Sequence, residues 1–163
     1  MMANMGFNPQ SNEDIMQYIH RAVEELVLKT EKTFKCVLIV GARQTGKTKL
    51  IRELFPDKKY VPIDDPFIED QANNNPNMFM AINPPPVVYD EVQRVPELFK
   101  YIKVECDKTD EKRLFCLSGS QPLELMEHAS ESLSGRVGII EMSPLSQREI
   151  DGNPVSAPFL PTL

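Results

Sequence analysis

Five short apolar runs punctuate the chain, and stretches with helical spacing lie between them. "KCVLIV" (35–40) is continuously apolar and rich in β-branched residues, the pattern of a strand covered on both faces. "KYVPI" (59–63) reads as a second strand, and Pro62 assigns it to an edge. "VVYDE" (87–91), "RLFCLSGS" (113–120) and "RVGIIEM" (136–142) complete the set. Ahead of the first strand, Ile15, Ile19, Ala22, Val23, Leu26 and Val27 recur at helical spacing. They predict an amphipathic helix over 12–30, with Ser11 and Asp14 resembling a capping box. A further helix begins near Lys47 and stops before Pro56. Asp64-Asp65-Pro66 marks a turn or helix start, "QANNNPN" a polar break, and "MFMAI" a short helix ended by Pro84-Pro85-Pro86. Residues 97–107 and 122–134 read as helices. Residues 1–11 form a disordered tail in this reading, 12–150 one folded core, and the proline-rich 151–163 a linker or truncated tail.

Strands that alternate with helices imply a parallel α/β sheet. Ligands of such sheets sit beyond the carboxyl ends of the strands. The loop after 35–40, the pair Asp90-Glu91 and the segment Ser118–Ser120 all follow predicted strand ends. Three polar clusters are therefore expected on one edge.

Composition narrows the partners. The 163 residues carry a net charge of −6, which weighs against a dedicated nucleic-acid binder, since phosphate neutralisation supplies most of that affinity. Direct nucleic-acid binding stays open through local groups such as Lys29, Lys32 and Lys35, or Lys47, Lys49 and Arg52. Three cysteines, Cys36, Cys106 and Cys116, are too few and too scattered for a disulfide framework or a zinc site. A reducing cytoplasm fits them. His20 and His128 have no ligand-like neighbours in sequence. No apolar run approaches the ~18–20 residues of a membrane span, so no membrane partner is expected.

The sharpest chemistry lies in "GARQTGKTKL" (41–50). Gly41, Gly46, Lys47 and Thr48 occupy every defined position of G-x-x-x-x-G-K-[ST]. A polyphosphate concentrates several negative charges in a few ångströms. Backbone N–H groups of a tight loop surround it, and the following helix adds a favourable dipole. Gly41, Ala42, Arg43, Gln44, Thr45, Gly46, Lys47, Thr48 and Lys49 are the candidate cradle, Lys47 bringing an ammonium to the β- and γ-phosphates. Thr48 offers a hydroxyl to Mg²⁺. Asp90 is the second candidate for the metal, held through water. Glu91, beside it, is placed to orient an attacking water. Ser118 is the candidate sensor of the γ-phosphate or that water. Arg136, before the fifth strand, is the candidate cation for the transferring phosphoryl group, in cis or from a neighbouring subunit. No N-K-x-D element for reading guanine is present, which favours adenine.

With these pieces in place, the chain resembles a family of prokaryotic AAA+-type P-loop ATPases that join an N-terminal ATPase core to a C-terminal domain of poorly understood function. The resemblance rests on "GARQTGKTKL", "YVPIDDP", "VVYDEVQRVPELF", "FCLSGSQPLELM", "SLSGRVGIIEM" and "PLSQREI". In order and spacing they are similar to that family's phosphate loop (Walker A), acidic turn, Walker B strand, sensor strand, arginine segment and closing Pro-Leu-Ser-x-x-Glu. It implies a P-loop NTPase three-layer sandwich with a five-stranded parallel sheet of order 5-1-4-3-2, an AAA+-like core without a lid. It implies that Lys47 and Thr48 bind phosphate and Mg²⁺, that Asp90 supports the metal and Glu91 positions water, and it favours Ser118 as sensor and Arg136 as finger. Family members continue past the point where this chain stops, so a piece of a longer protein, acting with an absent C-terminal domain or protein partner, is expected. The function expected is Mg²⁺-dependent ATP binding and hydrolysis, releasing ADP, with turnover weak in the short chain. The alternative is a nucleotide-dependent switch or scaffold with negligible hydrolysis. A trans role for Arg136 would require self-association.

Overall fold

The structure, a computed structural model, describes residues 18–153. The strands are β1 (Cys36–Val40), β2 (Lys59–Pro62), β3 (Val87–Asp90), β4 (Phe115–Gly119) and β5 (Val137–Glu141). The helices are α1 (Glu24–Thr33), α2 (Lys47–Leu54), α3 (Pro66–Asn74), α4 (Pro76–Ile82), α5 (Leu98–Asp107), α6 (Pro122–Ser132) and α7 (Gln147–Ile150). All five strands run parallel in the order β2-β3-β4-β1-β5, the order expected from the resemblance, with β2 on the edge.

The period-2 pleat of β1 sorts its residues into two cores. Cys36, Leu38 and Val40 join a cluster with Phe79 of α4, Leu98, Phe99 and Ile102 of α5, and Leu125 and Ala129 of α6. Val37 and Ile39 point the other way, to Val27 of α1 and Leu50 and Ile51 of α2. Every residue of β1 is fully buried. Helices thus cover both faces, and the sheet is the middle of three layers.

Local chemistry sets the boundaries. Asp65 caps α3 by accepting from the N–H groups of Phe67 and Ile68, and Pro66 opens the helix. The break in "QANNNPN" narrows to Asn75, whose side chain caps α4. On α1, Glu31 is buried and accepts from Lys58 at 2.9 Å and Arg113 at 2.8 Å. Among the described residues no helix is long and apolar enough to cross a membrane.

Within the described part of the helix expected over 12–30, helix begins at Glu24 and runs on to Thr33; residues 12–17 lie outside the described residues. Tyr18–Val23 are not helical. The reason is a competing set of bonds: Glu24 accepts from the Arg21 N–H at 2.6 Å and the Tyr18 hydroxyl at 2.8 Å, closing a turn before the helix. Ile19 and Leu26, assigned to the packed face by spacing, are exposed. Ser11 and Asp14 lie outside the described residues, as do the tail 1–11 and most of 151–163. The short helix α7, inside "PLSQREI", was not expected as a helix; it is nucleated by a capping box between Ser146 and Glu149.

Candidate phosphate-binding cleft

β1 ends at Val40 and the chain turns through Gly41–Gly46 into α2. Gly41 is required by close approach, since a Cβ there would lie 2.3 Å from the Met142 carbonyl oxygen. Gly46 has φ +92, a left-handed conformation that glycine adopts without strain. It stands at the N-cap of α2, so the first amides of that helix have no partner within it. Thr45 donates its hydroxyl to the Ala42 carbonyl at 3.0 Å, bracing the loop internally. Lys47 is buried and donates to the carbonyls of Gly41 and Ala42, both at 2.9 Å. Burial holds its pKa down, while the carboxylates of Glu91 and Asp90 pull it back up.

The pleat also explains the carboxylate that meets this loop. Val88 faces the α2 side of the sheet, so Asp90, two residues on, faces it too. Cys116 and Ser118 of β4 obey the same rule, and so does Tyr60, which pairs with Val88 across β2 and β3. These side chains converge. Asp90 Oδ2 accepts from Thr48 at 2.8 Å and also from the Tyr60 hydroxyl; Asp90 Oδ1 accepts from Ser118. Asp90 is buried, and its oxygens are satisfied by three hydroxyl donors. Burial and the neighbouring Asp90 charge push the Tyr60 phenol well above its ordinary range.

Glu91 leaves the strand with φ +58, an uncommon conformation for a residue with a Cβ. The turn swings its carboxylate off the sheet, where Gln93 and Ser120 donate to Oε2, Ser120 at 2.8 Å. Gln93 also donates to the Ser120 hydroxyl at 3.2 Å, and its own Oε1 is buried without a partner. Glu91, Gln44, Thr45, Gly46, Lys47, Thr48 and Lys49 line a cleft of about 670 Å³, walled on the other side by Tyr18, Ile19, Arg21 and Leu145.

The structure therefore brings together Lys47, Thr48, Asp90, Glu91 and Ser118. Ser118 is fully buried and stands against Asp90 rather than in the cleft; Ser120 is the hydroxyl that touches Glu91. Arg43 lies on a neighbouring polar hollow with Gln44 and Glu91. Arg136 is not brought to the cleft. Its carbonyl accepts from Cys36 N–H at the opposite end of β1, about 13 Å from Val40 at the usual strand rise. Its side chain is bonded to Asp107 at 2.6 Å and to the Ser134 carbonyl, so it does not serve its own chain's loop. Sequence reasoning missed Tyr60, Arg21 and Leu145, and placed Ser120 on the edge without giving it a role. The first could have been found from strand pairing, because Tyr60 sits two residues before the position opposite Asp90.

The oxygen donors of Thr48 and Asp90, set at the start of a helix beside a buried ammonium, fit a Mg²⁺ ion completed by phosphate oxygens and water. Among the described residues no group of three or more His, Cys, Asp or Glu stands ready as an all-protein cage.

Comparison with known proteins agrees with this fold. A family model described as an AAA domain matches residues 33–151. Two curated relatives are 32% identical over 120 residues: the uncharacterized proteins Rv2008c of Mycobacterium tuberculosis and Mb2031c of Mycobacterium bovis. The match covers 70% of this chain but only 26% of each relative's length. Among solved structures, the Walker-type ATPase PABY2304 of Pyrococcus abyssi superimposes with a TM-score of 0.54 at 16% identity, over 81% of this chain and 55% of that one. That likeness is one of fold. Given the family match across most of its length and a parallel sheet in which an interior strand ends in a glycine-bracketed lysine loop, the chain belongs to the AAA domain family of P-loop ATPases.

Proposed function

We propose that this chain binds Mg²⁺-ATP in the cleft at the head of α2 and hydrolyses it to ADP and phosphate. The observation that carries the reading is the meeting of Thr48 and Asp90 at 2.8 Å, with Glu91 next in sequence on the same cleft as Lys47. Unpaired amides of the first turn of α2 and the Lys47 ammonium take the phosphates; Lys47 exchanges the Gly41 and Ala42 carbonyls for phosphate oxygens. Thr48 and Asp90 would hold Mg²⁺, which would supply Lewis-acid stabilisation of phosphate charge. Tyr60 and Ser118 hold the Asp90 carboxylate while the Thr48 hydroxyl turns to the ion. Glu91 orients a water for in-line attack on the γ-phosphorus and accepts its proton. The base lies toward Tyr18, Ile19 and Leu145, the apolar wall of the cleft. A cation from Arg136 is available only in trans, from a second copy. Hydrolysis is proposed to drive a conformational change in an attached domain or partner, in a cytoplasmic setting.

A second reading, a nucleotide-dependent switch with negligible turnover, draws support from the capture of Glu91 by Gln93 and Ser120. Phosphate release by wild type and Glu91→Gln separates the two, alongside calorimetric titration with ATP, ADP and GTP with and without Mg²⁺. Turnover above background that falls at least tenfold in Glu91→Gln supports hydrolysis. Tight ATP binding with no turnover in either protein supports the switch. Heat-silent titrations of folded protein with millimolar ATP would sink both.

A further inference from the structure

Behind the phosphate loop, two segments far apart in sequence meet on one guanidinium. Arg21 is only 7% exposed. Its Nε donates to Glu149 at 3.0 Å, Nη1 to the Thr45 carbonyl at 2.7 Å and Nη2 to the Ser143 carbonyl at 2.7 Å. Glu149 is as deeply buried and is saturated with donors: Arg21 and the Ala22 N–H on Oε1, the Ser146 N–H and hydroxyl on Oε2. The segment "PLSQREI" thus has a physical task. Its single glutamate closes the cap of α7 and holds the arginine that grips the loop.

The grip has a geometric consequence for the loop. The Thr45–Gly46 peptide is planar and trans, so its C=O and the Gly46 N–H point in opposite directions. Pinning the carbonyl on Arg21 aims the amide. Gly46 is also the N-cap of α2, one of the positions whose N–H has no acceptor in the helix. A Cβ at Gly46 would lie 3.4 Å from Arg21 Nη1, so guanidinium and loop are already in contact. The opposite charge of the paired Glu149 carboxylate offsets that of the guanidinium, which makes the contribution one of direction rather than net charge.

We propose that Arg21, held by Glu149, is a positioning residue for the phosphate loop: it aims the Gly46 amide at bound phosphate and ties the loop's conformation to residues 143–150. The inference rests on the reading of the cleft as a triphosphate site.

The test is calorimetric titration of the full chain with Mg²⁺-ATP and with inorganic tripolyphosphate, using wild type, Arg21→Lys and Glu149→Gln. Lysine keeps the charge but cannot span three acceptors. Folding is checked by circular dichroism and melting temperature. Both variants are expected to remain folded at neutral pH, melting below wild type because the buried pair is weakened, and to lose about tenfold affinity, equally for ATP and tripolyphosphate. A folded variant that binds tripolyphosphate as wild type does overturns the proposal, as does a loss confined to ATP, which would place the effect at the base. Should the variants fail to fold, ¹⁵N-labelled wild type decides: the Gly46 amide resonance must move on adding tripolyphosphate, and an unmoved resonance in a binding protein overturns it. Wild type that binds neither ligand removes the triphosphate reading itself, a distinct failure.

Discussion

Replacing Ser118 by alanine separates two roles that the sequence left joined. A sensor would touch the γ-phosphate or the attacking water; the geometry instead has the Ser118 hydroxyl donating to Asp90. Asp90 has three donors, Thr48, Tyr60 and Ser118. On the proposed reading Thr48 would turn to Mg²⁺, leaving Tyr60 and Ser118 alone to orient the carboxylate. A hydrogen bond to a charged group contributes about 1.5–3 kcal/mol. Because Tyr60 persists, the lower end applies, about 1.5 kcal/mol, or roughly tenfold in the Mg²⁺ midpoint. The assay is phosphate release, or binding heat, as Mg²⁺ is titrated at saturating ATP. Ser118→Ala should need about ten times more Mg²⁺ while its ATP-to-ADP affinity ratio stays that of wild type. An unchanged Mg²⁺ midpoint with a collapsed ATP-to-ADP ratio would refute the assignment and restore the sensor.

Other expectations follow from the same contacts. Glu31→Gln leaves Lys58 and Arg113 facing a neutral amide, at a cost of about 3 kcal/mol. That is a fall of roughly 6–12 °C in melting temperature, with nucleotide affinity unchanged; an unaltered melting curve contradicts it. Burial pushes the Glu149 carboxyl up, but the Ser146 and Ala22 amides, the Ser146 hydroxyl and Arg21 together hold it at about 2. A depressed carboxyl contributes stability that is fully present above its unfolded value of 4.5 and is lost as pH falls toward 2. Glu149→Gln should therefore flatten the acid limb of a melting-temperature profile in that window, and an identical limb in the variant counts against the clasp. If Arg136 acts in trans, activity per molecule rises with protein concentration and Arg136→Ala abolishes the rise. A flat dependence in wild type removes that role.

Legibility in the sequence followed the range of the interactions. β1 was readable because a strand buried on both faces needs an unbroken apolar run, and "CVLIV" is one. The phosphate loop was readable because its glycines and lysine answer to geometry within eight residues of chain. The convergence of Thr48 and Asp90 was legible once the sheet was taken as parallel, since both follow strand ends. The start of α1 was not. Apolar spacing favoured a helix from 12, yet Arg21 is worth more in contact with Glu149 and Thr45 than on a helix surface, and no local pattern reports a partner 128 residues away. Tertiary contacts override propensity at such places.

The same reasoning explains where the fold sets Ser118 and Arg136. Position after or before a strand states which edge a residue occupies, but the pleat states which face. Ser118 stands at the C-terminal end of β4, as expected, yet its parity with Cys116 turns it beneath Asp90. Ser120 shares that parity, but it lies beyond the strand end, where the chain has left the pleat and the hydroxyl reaches Glu91. Arg136 precedes its strand in a parallel sheet, and that alone puts it on the edge remote from the loop. Its bond to Asp107, the last residue of a helix descending from the cleft side, is what such an address predicts. Any part it takes in phosphate chemistry must then be read from a second copy of the chain, so the concentration dependence of turnover, rather than the structure of one chain, is the quantity that decides it.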